Sequence, residues 1–300
     1  VSGVLLNEAG VERIERRRPW IFAGQIRRRP EGTPGELVPA TDSRGRVRGW
    51  GFLSPSALSL RLISYEPRRP DLGALLRERL ASALAWRRAN RGEEEAFRLC
   101  HGEADGLPGL IVDVYGGVAC IQAGIPGWRI RLEEVSAALR ELLPLSATVL
   151  RNDAKPLAKE GLEPEVRVLE GNLPQGTVPV RIGGLVRSVR VLEGQKTGWY
   201  LDVRDVPALL RGRIEGGRLL DGFAYQGAFS LEALRLGAER ATALEQSEAA
   251  VAAAERDRAA SGLPDRIEWV GGNAFDALRR LEAARERFDA VVMDPPPFAP

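Results

Sequence analysis

Four polar residues each stand at or just past the end of a short apolar run: Asp221 after Arg218-Leu219-Leu220, Glu245 after Ala241 to Leu244, Asn273 after Ile267 to Val270 and two glycines, and Asp294 after Phe288 to Met293. Apolar runs of this length bounded by glycine or proline read as buried strands of a parallel sheet. Ligands of such sheets lie off the carboxyl ends of the strands. One polar residue there is a turn, whereas four in register describe a site. The turn after Asp221, Gly222-Phe223-Ala224-Tyr225-Gln226-Gly227, has two glycines where the dinucleotide fingerprint G-x-G-x-x-G has three. The missing glycine, together with Phe223 and Tyr225 filling the turn, disfavours a pyrophosphate. Glu245, at the tip of the next strand, stands where a nucleotide-binding fold places an acid against ribose hydroxyls. An adenosine with a small uncharged or zwitterionic tail suits this turn, and that is the shape of S-adenosylmethionine. An ordinary crossover with a structural acid is the other reading, and this stretch alone does not choose between them.

A second run dense in functional groups is Glu193-Gly194-Gln195-Lys196-Thr197-Gly198-Trp199-Tyr200-Leu201-Asp202-Val203-Arg204-Asp205. Its turn offers donors at Gln195, Lys196 and Thr197, and Asp202 with Arg204 forms an i, i+2 pair suited to orienting a zwitterion. His101, Glu103 and Asp105 are spaced by turn residues, which favours a structural hairpin over a metal or acid-base cluster. With a single histidine, and with Cys100 and Cys120 far from metal-ligand spacing, no metal is expected and both thiols read as buried and free.

The elements that must position these residues alternate strand and helix from Arg218 onward. Strands at 218–221, 241–245, 267–270 and 288–293 are separated by helices at 228–236, 248–261 and 275–285, which implies a doubly wound parallel α/β sheet. Upstream, Gly35 to Ala40, Val47 to Leu53 and Leu58 to Ser64 alternate like strands around an Asp42-Ser43-Arg44-Gly45 turn, a small barrel-like β domain. Pro67-Arg68-Arg69-Pro70 reads as a linker. Beyond it, Leu72, Leu75, Leu76, Leu80, Leu84 and Trp86 have helical spacing over 71–90. Two strands follow over 97–115, then a helix over 128–142, a strand over 147–151, an exposed loop from Asn152 to Lys159, and strands and turns over 166–192. The chain divides as 1–68, 69–165 and 166–300.

The net charge of +2 conceals an asymmetry, because residues 1–69 carry 13 Arg against seven acids, a balance of +6. That part alone suits a polyanion. Arg16-Arg17-Arg18 and Arg27-Arg28-Arg29 flank Pro19-Trp20-Ile21-Phe22, an arrangement that grips phosphates while a ring stacks on a base. For Trp20 and Phe22 themselves, a place in the core is the favoured reading. No apolar run approaches a membrane span and no signal peptide opens the chain, so a cytoplasmic protein is expected, with no membrane partner; a homodimer is left open.

The segments PWIFAGQI and GELVPATDSRGRVRGWGFLSPSALSLRLIS resemble the PUA domain that opens a family of large-subunit ribosomal RNA cytosine-C5 methyltransferases. RLCHGEADGLPGLIVDVYG resembles the α+β middle domain of that family, and GQKTGWYLDVRD and the D-P-P of Asp294-Pro295-Pro296 resemble signatures of its class I, Rossmann-like methyltransferase domain. The resemblance spans the whole chain. It implies an RNA-binding first domain with Arg16, Arg17, Arg18, Arg27, Arg28 and Arg29 on ribosomal RNA, and S-adenosylmethionine as cofactor. Gln195, Lys196, Thr197, Tyr200, Asp202 and Arg204 would line the entrance of the cofactor pocket. The Asp221, Phe223, Tyr225 and Gly227 loop would lie along the cofactor's methionine part, Glu245 on its ribose, and Asn273 with Ala274 on its adenine. Asp294, Pro295 and Pro296 would face the target base. Two departures stand out: Asn273 occupies a position more often Asp, and Gly222, Gln226 and Ala228 differ from the commoner N-C-F-S-Y-T-G-G turn.

Methylation at cytosine C5 requires a cysteine thiolate that adds to C6, so that C5 can attack the methyl group, followed by loss of the C5 proton and of the thiol. No cysteine follows Cys120. The resemblance therefore implies a catalytic cysteine beyond residue 300, a chain cut after the D-P-P motif and an incomplete sheet whose strand at 288–293 is a bare edge. Two alternatives remain: methylation of a guanine or adenine amine, which needs no cysteine, and a non-catalytic RNA-binding or assembly protein with a vestigial methyltransferase domain.

Overall fold

The computed structural model describes residues 3–153, 155–173 and 176–295, with only the backbone at 155 and 156. The chain forms two compact units, one of residues 1–178 and 190–199, the other of 179–189 and 200–300.

The first unit opens with a six-stranded mixed sheet in the spatial order Trp20–Ile21, Leu60–Ser64, Val47–Leu53, Leu37–Thr41, Val4–Leu6, Ile26–Arg28. Its core is Val4, Leu6, Ile14, Ile21, Val38, Ala40, Leu53, Leu60 and Leu62. The helix Glu8–Glu15 starts where Asn7 accepts from the Gly10 amide, as a short polar cap should. The second part of this unit is a five-stranded sheet in the order Glu165–Gly171, Ala147–Asn152, Val118–Ala123, Leu110–Tyr115, Ala96–His101. The helices Leu72–Arg91 and Leu132–Leu142 pack with it. Asp71 caps the first of these helices, and Gly92, at φ 75°, ends it. The two parts are not separate inside: Leu37, Trp50, Phe52 and Ile63 share one apolar core with Leu76, Leu80, Leu110 and Trp128.

Three sequence expectations need correcting here. The helix expected over 128–142 is two pieces, Pro126–Arg129 and Leu132–Leu142. The strand Val118–Ala123 was not foreseen. Asn152 does not begin an exposed loop: it is buried, its Oδ1 accepting from the Ala123 amide at 2.8 Å and its Nδ2 donating to the Ala123 carbonyl at 2.7 Å. A hydrophilic stretch reads as solvated when its partners are backbone groups far away in sequence.

The second unit is built on a four-stranded parallel sheet in the order Ile267–Val270, Arg240–Leu244, Arg218–Gly222, Ala290–Met293. The helices Ala228–Arg235, Glu248–Ala260 and Ala274–Ala283 make the crossovers, as parallel neighbours demand. The register sets Val270, Leu244, Gly222 and Met293 in one row, so the carboxyl ends of the four strands coincide. Ala290–Met293 is an edge strand, with Val291 56% and Met293 42% exposed. The hairpin Thr177–Ile182 and Leu185–Arg190 reaches the helix Glu248–Ala260 through the Ser188 amide, which donates to Asp257 Oδ1 at 2.9 Å. Among the described residues no helix is long and apolar enough to cross a membrane.

Candidate functional site

The shared register turns the polar strand ends into neighbours. Glu245 and Asp294 each lie one residue past the row that contains Gly222, and Asp221 lies one residue before it. Asn273 follows three residues after Val270 and starts the helix Ala274–Ala283, its Oδ1 accepting from the Phe275 amide at 2.9 Å. The side-chain oxygen of the residue expected on the adenine is thus engaged in capping its own helix. Asp294 donates its amide to the Gly222 carbonyl at 3.4 Å. Pro295 follows it, while Pro296 lies outside the described residues.

Asp221 is buried. Its Oδ2 accepts both the amide and the hydroxyl of Ser230, at 3.1 and 2.7 Å. Burial pushes its carboxyl up to about 6, the two Ser230 bonds pull against that rise, and the charges of Asp294 and Glu245 add to it. Glu245 is held from both sides, Oε2 by the Tyr225 amide at 2.8 Å and Oε1 by the Ser247 amide at 2.8 Å. Each oxygen keeps capacity for a further donor.

The turn between them is wound tightly. Phe223, Tyr225 and Gly227 all have left-handed φ, at 64°, 49° and 63°, a conformation costly for the two aromatic residues. It brings the Tyr225 amide onto Glu245. A Cβ at Gly222 would stand 2.5 Å from Met293 Sδ on the neighbouring strand, so the half-exposed Met293 side chain would have to turn aside to admit one. Rings surround the carboxylates. Phe223 meets the edge of Phe275 at a centroid distance of 6.1 Å, and Tyr225 meets Tyr200 at 6.1 Å. Burial, then the nearby Tyr225, Asp202 and Asp294, raises the Tyr200 phenol above its ordinary range.

Other expected site residues fall differently. Gln195, Lys196 and Thr197 belong to the first unit, whereas Tyr200, Asp202 and Arg204 belong to the second. Thr197 is buried, donates to Asp113 Oδ2 at 2.6 Å and shares a hydrogen bond with the Tyr115 hydroxyl at 2.9 Å. Lys196 sits at φ 53°, and Arg204 lies 3.8 Å from Asp205. The arginines at 16–18 and 27–29 are exposed. Trp20 and Phe22, favoured as core residues, are instead 38% and 39% exposed; only Ile21 between them points inward.

The suspected cluster at the hairpin is structural. Asp105 forms a two-pronged pair with Arg87 at 2.8 and 2.7 Å, and Glu103 accepts from Trp20 Nε1 at 2.7 Å. Among the described residues no group of His, Cys, Asp or Glu is arranged for a metal. Cys100 and Cys120 are buried in strands, and burial pushes the Cys100 thiol up to about 12 and the Cys120 thiol higher than usual as well.

Ser230, Ser247 and Phe275 were missed by the sequence reading. Phe275 had a local signal, an aromatic two residues past a capping Asn at a strand end. Ser230 had none, because its partner is nine residues away across a turn.

Residues 4–65 match a PUA-like domain, and residues 205–299 match a family described as conserved hypothetical protein 95. Over 288 residues the chain is 33% identical to the ribosomal RNA large subunit methyltransferase I of Klebsiella pneumoniae, covering 94% of this chain and 72% of the relative. Among solved structures, a putative SAM-dependent methyltransferase from Streptococcus mutans matches 99% of this chain and 77% of its own, with a TM-score of 0.79 and 19% identity. A putative methyltransferase crystallised with SAH matches 100% of this chain and 77% of its own, with a TM-score of 0.82 and 19% identity. At that identity the likeness to solved structures speaks for the fold.

Proposed function

Because the chain belongs to the family of ribosomal RNA large subunit methyltransferase I, we propose that it is an S-adenosylmethionine-dependent methyltransferase acting on large-subunit ribosomal RNA. The observation that carries this reading is the convergence of Asp221, Glu245 and Asp294 at the aligned carboxyl ends of parallel strands, beside a turn lined by Phe223 and Tyr225. The residues fit the cofactor. Glu245, fixed by two backbone amides, offers a rigid acceptor for vicinal ribose hydroxyls. Phe223 and Phe275 give flat apolar surface for an adenine, with Ala274 at the base edge. Asp221 would supply negative charge toward the methionine part of the cofactor, and Tyr200, which meets Tyr225 at 6.1 Å, would stand with Asp202 and Arg204 at the pocket entrance. Thr197 pins its own segment to Asp113 within the first unit, and a role for Gln195, Lys196 and Thr197 toward the cofactor rests on the family resemblance alone.

When bound, the cofactor supplies an electrophilic methyl group on a sulfonium. The protein's task is to hold the acceptor atom in line and to exclude water. Asp294 and Pro295, at the end of the edge strand, with Pro296 next in sequence, are the residues that would receive the target base.

Transfer to C5 of a cytosine is the favoured chemistry. It needs a thiolate, and neither buried cysteine, lying in the strands Ala96–His101 and Val118–Ala123, can supply one. The C5 reading therefore requires a thiolate other than those of Cys100 and Cys120. That same burial favours, as a second reading, transfer to an exocyclic amine, where Asp294 and the adjoining backbone would accept from the amine.

Titration calorimetry with S-adenosylmethionine tests the cofactor. Transfer of a labelled methyl group to large-subunit ribosomal RNA, followed by mass analysis of the modified nucleoside, tests the acceptor. No heat of binding, with no transfer, would overturn the reading, and a methylated amine in place of 5-methylcytosine would overturn only the favoured chemistry.

A further inference from the structure

Trp20 and Phe22 stand on one face of an extended segment at the edge of the six-stranded sheet. Trp20–Ile21 is the edge strand, with Trp20 opposite Arg61 in the antiparallel register, and Phe22 continues the extension at φ −86°, ψ 157°. Ile21 is wholly buried, so alternation turns both rings outward, 38% and 39% exposed. Each ring carries a guanidinium, Arg61 at 5.8 Å from the Trp20 centroid and Arg13 at 5.2 Å from that of Phe22.

The assembly is held in place. Trp20 Nε1 donates to Glu103 Oε1 at 2.7 Å, Arg13 Nε donates to the Trp20 carbonyl at 2.7 Å, and Arg61 Nη2 donates to Glu160 Oε1 at 2.6 Å. Glu160 in turn accepts from Ser54 and Ser56 at 2.5 and 3.0 Å. Scattered exposed aromatics are ordinary, but two in register, each backed by a cation and fixed by hydrogen bonds, are pre-organised surface.

The surrounding charge selects a polyanion. Arg16, Arg17 and Arg18, just before the segment in sequence, are exposed, as are Arg27, Arg28 and Arg29, of which Arg27 and Arg28 lie on the opposite edge strand of the sheet. Glu103 and Glu160 lie 3.8 and 2.6 Å from Arg61, which offsets one of their two charges. Rings two residues apart on an extended chain are spaced about 7 Å, about twice the step of stacked nucleotides along one strand. Neighbouring bases of a stacked helix therefore cannot each cover one ring, whereas unstacked bases can.

We propose that Trp20 and Phe22, backed by Arg61 and Arg13, form a platform on which unpaired bases of an RNA strand stack. This rests on RNA being the substrate, and adds that the first unit selects unpaired over paired RNA without reading its sequence.

Fluorescence anisotropy of the 300-residue chain, with a labelled single-stranded oligoribonucleotide and a blunt RNA duplex of equal length at one salt concentration, tests it. Trp20→Ala and Phe22→Ala should each weaken single-strand binding about tenfold while changing duplex binding by less than about twofold. Trp20→Phe and Phe22→Tyr, which keep a ring, should retain single-strand affinity, and Trp86→Ala, at a tryptophan 60% exposed on the helix Leu72–Arg91, should change neither. Should an alanine variant fail to fold, Trp20→Leu or Phe22→Leu keeps apolar bulk without the aromatic face. Unchanged single-strand affinity in a folded double variant, or equal loss on both RNAs, overturns the platform. So does self-association in light scattering that the same variants abolish, which assigns the face to a second copy of the chain. A wild-type chain that binds neither RNA overturns the RNA reading itself.

Discussion

Glu245 couples the turn to the ligand it is proposed to hold. Glu245→Ala removes the ribose acceptor and also releases the Tyr225 amide, whose residue is held at φ 49°. A charge-assisted hydrogen bond contributes about 1.5–3 kcal/mol, so the affinity for S-adenosylmethionine should fall by about one to two orders of magnitude. Calorimetry on the folded variant checks this, and an unchanged dissociation constant would reject the role. Asp221 gives a pH signature. Its folded value, about 6, lies above the ordinary one, so between about 4 and 6 the folded protein binds more protons than the unfolded chain. The stability this group contributes is fully present below about pH 4 and is lost as pH rises through about 6. Cofactor binding should run the other way if, as proposed, Asp221 lies toward the cationic part of the cofactor: affinity should then strengthen as pH rises from about 5 to about 7, and Asp221→Asn should flatten that profile. Both acids were legible in the sequence because a strand's end is a local signal. Ser230, which pulls against the rise at Asp221, was invisible because nine residues of turn and helix bring it back to the carboxylate.

At the scale of elements, the site depends on how closely two neighbouring strands approach. Gly222 lies opposite Met293, and a methyl group there would overlap Met293 Sδ at 2.5 Å. Met293 is a flexible side chain, 42% exposed on an edge strand, and can turn aside. Gly222→Ala should therefore cost no more than the low end of an overpacking change, about 1 kcal/mol, and should weaken cofactor binding to the extent that it shifts the turn beginning at Phe223. Thermal melts and calorimetry check the two effects, and an unaltered melting temperature would show that the glycine is there for another reason. The alternation of strands and helices from Arg218 onward was readable from apolar runs and caps, and Ser247 and Asn273 start their helices with side-chain oxygens bonded to the Ala250 and Phe275 amides. Trp20-Ile21-Phe22 was misread for an equally physical reason. Three apolar residues in a row look like core, but an edge strand sends only every second one inward, and here that is Ile21.

In the whole molecule, the division at Pro67 to Pro70 is legible in the chain but not in the core. Leu37, Trp50, Phe52 and Ile63 pack with residues from Leu76 to Leu150, and Trp50 Nε1 donates to the Pro67 carbonyl at 3.1 Å. No local pattern reveals which distant apolar face a strand will meet. The consequence is experimental: deleting residues 1–69 would strip this core as well as the positive charge, so the arginines must be neutralised in place. Their expected contributions differ. Arg16 is paired with Glu12 at 2.6 Å, and Arg29 Nη2 donates to the Ser54 carbonyl at 2.7 Å, so substituting these two should change RNA binding least. Arg18, Arg27 and Arg28 are exposed, and each phosphate they cease to neutralise should lower the slope of log affinity against log salt by about 0.7 on a single strand. Changing Arg18, Arg27 and Arg28 together to Gln should therefore weaken RNA binding most at low salt and flatten its salt dependence, with S-adenosylmethionine affinity unchanged because the proposed cofactor residues belong to other segments. Anisotropy across a salt series, paired with calorimetry, measures both quantities. A salt slope equal to that of the wild type would remove these arginines from the RNA interface.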